Sequence, residues 1–328
     1  MSSKLKLIPK NIYSLLRLIL SYLYDAKRYF YSTVYPYYND IKRIEGKIIK
    51  RTHSIEKRLS FENRDPSFGK AKASELIEMI EKYYKSDKKN EVILRWSTLA
   101  LEKYVTTYLK NFEKEEYLNR LKDIKDYVVS MNSAGKQNGG IIEYPKENIL
   151  KASRGDFREF SQNRHSIRDF SGPAGLGDIK KAISIALKCP SNCNLQPVKI
   201  HLIQNKNVLE EILMIQRGNR GFKNKIPQLL VITANISLYN GSRERNQCFV
   251  DGGIFSLSLC YSLHYYGIAS CMLNWAATPN EDKEISRIIK LPVDERVIVT
   301  MAIGLLPDKI IVPVSARRSV DGVFKIIN

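Results

Sequence analysis

With 328 residues and 44% hydrophobic content, the chain is long enough for two domains of ordinary size and apolar enough to exclude wholesale disorder. A net charge of +19 narrows the partners to nucleic acid, an anionic membrane or a phosphorylated small molecule. Five cysteines without a CxxC pair, and an opening MSSKLKLIPKNIYS without a signal-peptide core, predict reduced thiols in a cytoplasmic protein.

The charge is uneven. Residues 1–60 hold 13 Lys/Arg against 4 Asp/Glu, together with 8 of the 19 tyrosines. Within them LLRLILSYLY (15–24) is too short to span a bilayer and carries Arg17, so it predicts an amphipathic helix lying on a protein or membrane surface. Basic residues interleaved with Tyr also suit stacked bases, but no nucleic-acid-binding motif is present. The expectation is therefore no nucleic acid, and a peripheral membrane contact through residues 1–60.

Residues 10–130 read as helical. ASELIEMIEKYYK (73–85) spaces its apolar residues at a helical period, and EVILRWSTLALEKYVTTYLKNF (91–112) continues it. Pro36 and ENRDPSFGK (62–70) are turn signals, and NSAGKQNGG (132–140) reads as a linker. In residues 49–76, His53, Glu56 and Lys57 share one helical face. A salt-bridged surface face is the plainer reading; a lid over a ligand pocket is the functional one. The domain expectation is a helical extension over 1–140 and a second domain over 141–328.

After residue 160 helices and strands alternate. Asp178 is expected to cap IKKAISIALK, VKIHLIQ (198–204) and QLLVITA (228–234) are strand-like, and NVLEEILMIQR between them is helical. The 29 residues from Gly252 to Asn280 carry no charge, but their serines, His264 and Gly267 favour a buried helix (246–266) followed by a strand (268–273) over a membrane span. A helix near 280–290 and a strand at 296–304 complete the pattern, which means an α/β or α+β sandwich.

Three stretches carry candidate chemistry. QNRHSIRDFSG (162–172) sets Arg164, Ser166 and Arg168 within five positions. Alone it would be a solvated basic loop. PSNCNLQP (190–197) offers a hydroxyl and carboxamides between a helix and a strand, suited to the amide-like edge of a heteroaromatic ring, although ordinary turn chemistry would use the same residues. VSARRSVDGVF (314–324) is a second Arg cluster. Two Arg clusters with an amide turn between them suit a ligand with a phosphate at one end and a ring at the other.

RHSIRDF, PSNCNLQP, the long helix followed by GIASCMLN, the strand ending Ala302-Ile303-Gly304 and Arg317-Arg318 together resemble the nitroreductase family over about residues 155–328. The resemblance implies an α+β fold, a three-layer α/β/α sandwich with a helical N-terminal extension. It also implies an FMN-dependent oxidoreductase that uses NADH or NADPH in a ping-pong reaction, with the site shared by the subunits of a homodimer. By that resemblance Arg164 and Ser166 hold the FMN phosphate and ribityl chain. Arg168 sits by the pyrimidine edge of the isoalloxazine, where positive charge favours reduction. Pro190, Ser191, Asn192 and Asn194 form the turn that reaches FMN from the other subunit. Asn219 lines the ring, Leu273 and Asn274 bring backbone toward N5, and Arg317 is the C-terminal phosphate ligand.

Asn274 and Trp275 depart from the family pattern, which often has an acidic residue and a glycine there; a Trp near the flavin would shrink the substrate pocket. Cys193 reads as a packing residue, and no side chain is nominated as a general acid. No metal site is expected. Two further function classes stay open from the residues: a flavin-binding module without turnover, and a membrane-surface adaptor built on the basic N-terminal helices.

Overall fold

The computed structural model describes residues 10–29, 40–61, 70–130, 139–239 and 241–327. Pro36, nearly all of the 62–70 turn and most of the 132–140 linker lie outside them. The chain forms two compact units. One comprises the chain up to Asp25 with Tyr144–Ile310, the other Ala26–Glu143 with the C-terminal segment from Ile311. Helix α1 (Lys10–Tyr29) therefore runs across a unit boundary.

The helical unit is built from α2 (Asp40–Leu59), α3 (Lys70–Tyr84), α4 (Glu91–Tyr108) and α5 (Asn111–Ser130). Apolar residues at helical spacing meet in one core: Ile48 and Ile55, then Leu76, Ile77 and Ile80, then Leu94 and Leu101, then Leu121. Asn90 starts α4 by accepting from the Ile93 N–H through its side chain. The expected continuous helix over 91–112 is broken. Leu109 is extended and Asn111 takes a left-handed φ of 51°, so the chain turns and α5 packs back on α4. The local period is the same on both sides of that turn, which is why the pattern alone did not show it.

The second unit contains a four-stranded antiparallel sheet in the order β2 (Val198–Ile203), β3 (Gln228–Asn235), β5 (Glu295–Leu305), β4 (Ile268–Asn274). β3 is buried on both faces, as its unbroken apolar run implies. One face of the sheet, with Leu230 opposite Met301, lies under α8 (Leu176–Ala186) and α10 (Gln247–Tyr265). The other face carries Val231, Thr300 and Leu273 in register. There α9 (Lys206–Ile215) ends in a turn whose Gly218 meets Leu273, and α11 (Pro279–Ile289) packs on α9. Helices on both faces make this a three-layer α+β unit.

Four short elements were not foreseen: β1 (Ile141–Pro145) and β6 (Lys309–Pro313), which pair, and α6 (Lys146–Ala152) and α7 (Phe157–Gln162). Helix α8 starts three residues earlier than expected. Gly175 is its N-cap, and Asp178 lies inside the first turn, where it pairs with Lys181 rather than capping.

The segment after the basic cluster is stitched to the end of β5: the Ser171 N–H donates to the Leu305 carbonyl, and the Leu305 N–H to the Gly172 carbonyl. Gly304 permits this approach, because a Cβ there would stand 2.8 Å from the Gly172 oxygen, from the Phe170 ring and from Pro227. Gly304→Ala is expected to destabilise the unit by about 1–3 kcal/mol through overpacking. Chemical denaturation checks this, and an unchanged midpoint refutes it.

Candidate functional site

The basic segment lies against the edge strand β4 and the second half of α10. The Ile167 N–H donates to the Ser270 carbonyl, and Ile167 itself is buried. This fixes Arg164, Ser166 and Arg168, all half-buried, on the flanks of an anchored strand-like run. The Arg168 guanidinium turns back to the Ser166 carbonyl at 3.2 Å, and Asp169 pairs with Lys225 at 3.0 Å. The His165 ring stacks on Tyr144 at 5.2 Å.

The charge of Arg164 is felt inside the unit. His264 of α10 is held down to about 4, first by burial and then by Arg164 and His165. Its buried Nε2 has no hydrogen-bond partner among the described residues. Cys260, one turn earlier on α10, is pushed up to about 11 by burial, against the pull of Arg164 and a hydrogen bond with Ser270. Arg164 is therefore a cation placed beside neutral groups, a setting in which an anionic ligand group gains most.

The second cluster, at the 190–197 turn, is held by the other end of α10. Asp251 accepts from the Asn192 N–H at 3.1 Å, from Gln247 at 3.1 Å and from the Tyr239 hydroxyl at 2.8 Å. The Asn192 amide donates to Glu244, and the Ser191 hydroxyl accepts from the Gln196 N–H. Cys193, Asn194 and Gln196 all take left-handed φ, at 46°, 57° and 48°. Left-handed backbone costs non-glycine residues free energy and persists where surroundings enforce it, often at ligand sites. Pro190, Cys193 and Asn194 are exposed, so the packing reading of Cys193 fails. The hollow beside this turn, lined by Ser191, Gln196 and Asp251, measures about 20 Å³. A flavin-sized ligand needs several hundred Å³.

A third group gathers at the end of β4. The Asn274 carbonyl accepts from the Gln216 side chain at 2.9 Å, and Gln216 also accepts from the Gly218 N–H. Asn219 is buried and its amide donates to the Leu213 carbonyl at 2.7 Å, closing the end of α9. Leu273 is buried, while the Asn274 side chain is exposed. The Trp275 indole donates to Asp282 of α11 at 2.6 Å, which ties the ring to that helix.

Arg317 belongs to the helical unit. There a hollow of about 380 Å³ is lined by Ile49, His53, Trp96, Ser315, Arg317 and Arg318 among others. Beneath it Glu56 is fully buried and accepts from the Trp96 indole at 2.7 Å, the Gly140 N–H at 2.9 Å and the Ser315 N–H at 3.1 Å. Glu45, also buried, accepts from the Tyr83 hydroxyl at 2.6 Å and pairs with Arg318 at 2.5 Å. Two buried carboxylates thus tie the C-terminal segment to the helical core. Glu56 is not part of a surface salt-bridge face as expected; only its long-range partners, Gly140 and Ser315, reveal the role, and no local signal points to them.

The donor set fits FMN in kind: guanidiniums and a hydroxyl for a phosphate and its chain, carboxamides and backbone N–H groups for a ring edge. It is not gathered in one chain. The Arg164 cluster lies by Cys260 and His264, and the amide turn by Asp251, nine and thirteen residues away along one helix. At 1.5 Å per residue that is roughly 14 to 20 Å.

No family model matches the chain, and no curated protein matches it. Solved structures do. An FMN-dependent nitroreductase from Clostridium difficile is 22% identical, covering 44% of this chain and 85% of its own, with a TM-score of 0.39. A nitroreductase family protein from Clostridium novyi is 20% identical, covering 47% and 87%, with a TM-score of 0.43. A Parabacteroides distasonis protein of the NADH dehydrogenase/NAD(P)H nitroreductase type is 15% identical, covering 53% and 99%, with a TM-score of 0.46. About half of the chain is thus similar in fold to nitroreductase-family proteins, and the other half lies outside the match.

Proposed function

We propose that the protein is an FMN-dependent oxidoreductase, working as a homodimer with NADH or NADPH as reductant on a small-molecule acceptor. The observation that carries this reading is the division of the donor set between the two ends of α10. A phosphate-binding cluster and a ring-edge turn some 14 to 20 Å apart along one helix hold a single ligand when a second copy supplies the missing half. The outer face of α10 supports such pairing. Val250, Ile254 and Leu257 are exposed at spacings of four and three, a stripe suited to helix–helix contact.

Bound FMN supplies the hydride chemistry, and the protein supplies position and field. Arg164 and Ser166 would hold the phosphate end. Arg168 would sit by the ring's pyrimidine edge, where its charge favours reduction. Asn192 and Asn194 would offer carboxamides from the partner's turn, held in place through Asp251. Asn219 would act on the ring through the wall that it braces, and Leu273 and Asn274 through their backbone. The reductant and the acceptor would use one open face in turn, a ping-pong sequence.

Purified protein should carry FMN, not FAD, since no GxGxxG motif is present to cradle a pyrophosphate. Light scattering should give about twice the 37.8 kDa chain mass. Anaerobic NADH or NADPH should bleach the flavin bands. A monomer that keeps flavin contradicts the shared site, and flavin that neither reductant bleaches favours a binding module without turnover.

A further inference from the structure

The most apolar exposed surface among the described residues is α1, which the proposed chemistry does not use. Ile12, Tyr13, Leu15, Leu16, Ile19, Leu20, Tyr22 and Leu23 are each 43 to 65% exposed. Eight large apolar side chains within twelve residues exceed the scattered exposure normal for a soluble surface. At 100° per residue they are not spread evenly. Ile12, Leu15, Leu16, Ile19 and Leu23 fall on one side, and Ser14, Arg17 and Ser21 on the other. Tyr13 and Tyr22 fall on the two borders, where an apolar ring with a polar tip suits the headgroup level of a bilayer.

From this arrangement we infer that α1 is an in-plane membrane anchor, which docks the protein on an anionic lipid surface. The helix lies on a bilayer rather than crossing it: no described helix is long and apolar enough to span one. Charge complementarity selects the occupant. The polar side of α1 carries Arg17, and the sequence of residues 1–60 has a net charge of +9 (13 basic, 4 acidic). An anionic surface attracts that charge, whereas a second copy of this chain, itself at +19, would bring like charge to the rim of the same face. Arg17 is set for this role. Its guanidinium lies 5.7 Å from the Tyr13 ring, so it borders the apolar face without entering it.

The test uses the full-length chain and sedimentation with vesicles of phosphatidylcholine, with and without phosphatidylglycerol, at low and high salt. Binding is expected on the anionic vesicles and should weaken with salt. Leu16→Ser, Ile19→Ser and Leu23→Ser combined should abolish it. Their side chains are exposed, so thermal unfolding of the variant should match the wild type and exclude misfolding as the cause. Arg17→Glu leaves the apolar face intact and should weaken binding to anionic vesicles by about ten-fold or more. The inference is overturned if the wild type stays in the supernatant with every vesicle, or if the triple variant sediments as the wild type does. A wild type that ignores vesicles while the triple variant loses half its mass in light scattering would assign α1 to contact between copies of the chain.

Discussion

Glu56→Ala is expected to destabilise the helical unit by roughly 3–5 kcal/mol, the largest effect of any single change named here. The loss exceeds that of one hydrogen bond because three buried donors, the Trp96 indole and the Gly140 and Ser315 N–H groups, are stranded together. Chemical denaturation measures it, and a loss below about 1 kcal/mol would mean that water replaces the carboxylate freely. The same residue predicts an unusual pH dependence. Burial raises Glu56 from 4.5 to about 7, outweighing its three donors and the charge of Arg317. Between those values the folded chain keeps a proton that the unfolded chain has released. Stability therefore falls as pH rises from about 4.5 to 7, by about 1.4 kcal/mol per pH unit, and levels off above. Glu56→Gln does not titrate and should remove that slope. A slope that survives in the Gln variant would place the titration elsewhere.

Arg164→Ala is expected to weaken FMN binding by roughly 1.5–3 kcal/mol, a ten- to 150-fold change, if the proposed function holds. Arg168→Ala should act on the flavin's potential instead, making reduction harder with less effect on affinity. Arg164→Ala has a second readout that needs no cofactor. Removing the guanidinium should let His264 titrate above its present value of about 4, though still below 6.5, because burial is the larger cause of its depression. NMR of the imidazole follows this directly. An unchanged His264 together with unchanged FMN affinity would return RHSIRDF to the status of a solvated basic loop.

The sequence by itself determined what depends on near neighbours. The period of 73–85, the alternation at 198–204, the unbroken apolar run at 228–234 and the charge-free stretch from 252 are each local patterns, and each formed the expected element. The amphipathic character of 15–24 was equally legible, because one turn of helix decides which side chains share a face. The α+β class followed from element order, and the second unit bears it out with helices on both faces of its sheet.

Only the tertiary structure decided what depends on distant partners. Glu56 lies beside His53 and Lys57 in sequence and was read with them as a surface face. Its burial comes from Gly140 and Ser315, 84 and 259 residues away, and no local spacing encodes such a contact. The break after Tyr108 was hidden because α4 and α5 share one period, and only the return of α5 onto α4 rewards the left-handed turn at Asn111. The motifs likewise did not say that Arg164 and Asn192 sit at opposite ends of α10. That is fixed by where the sheet edge and Asp251 hold two loops, a long-range register that residue types alone do not specify.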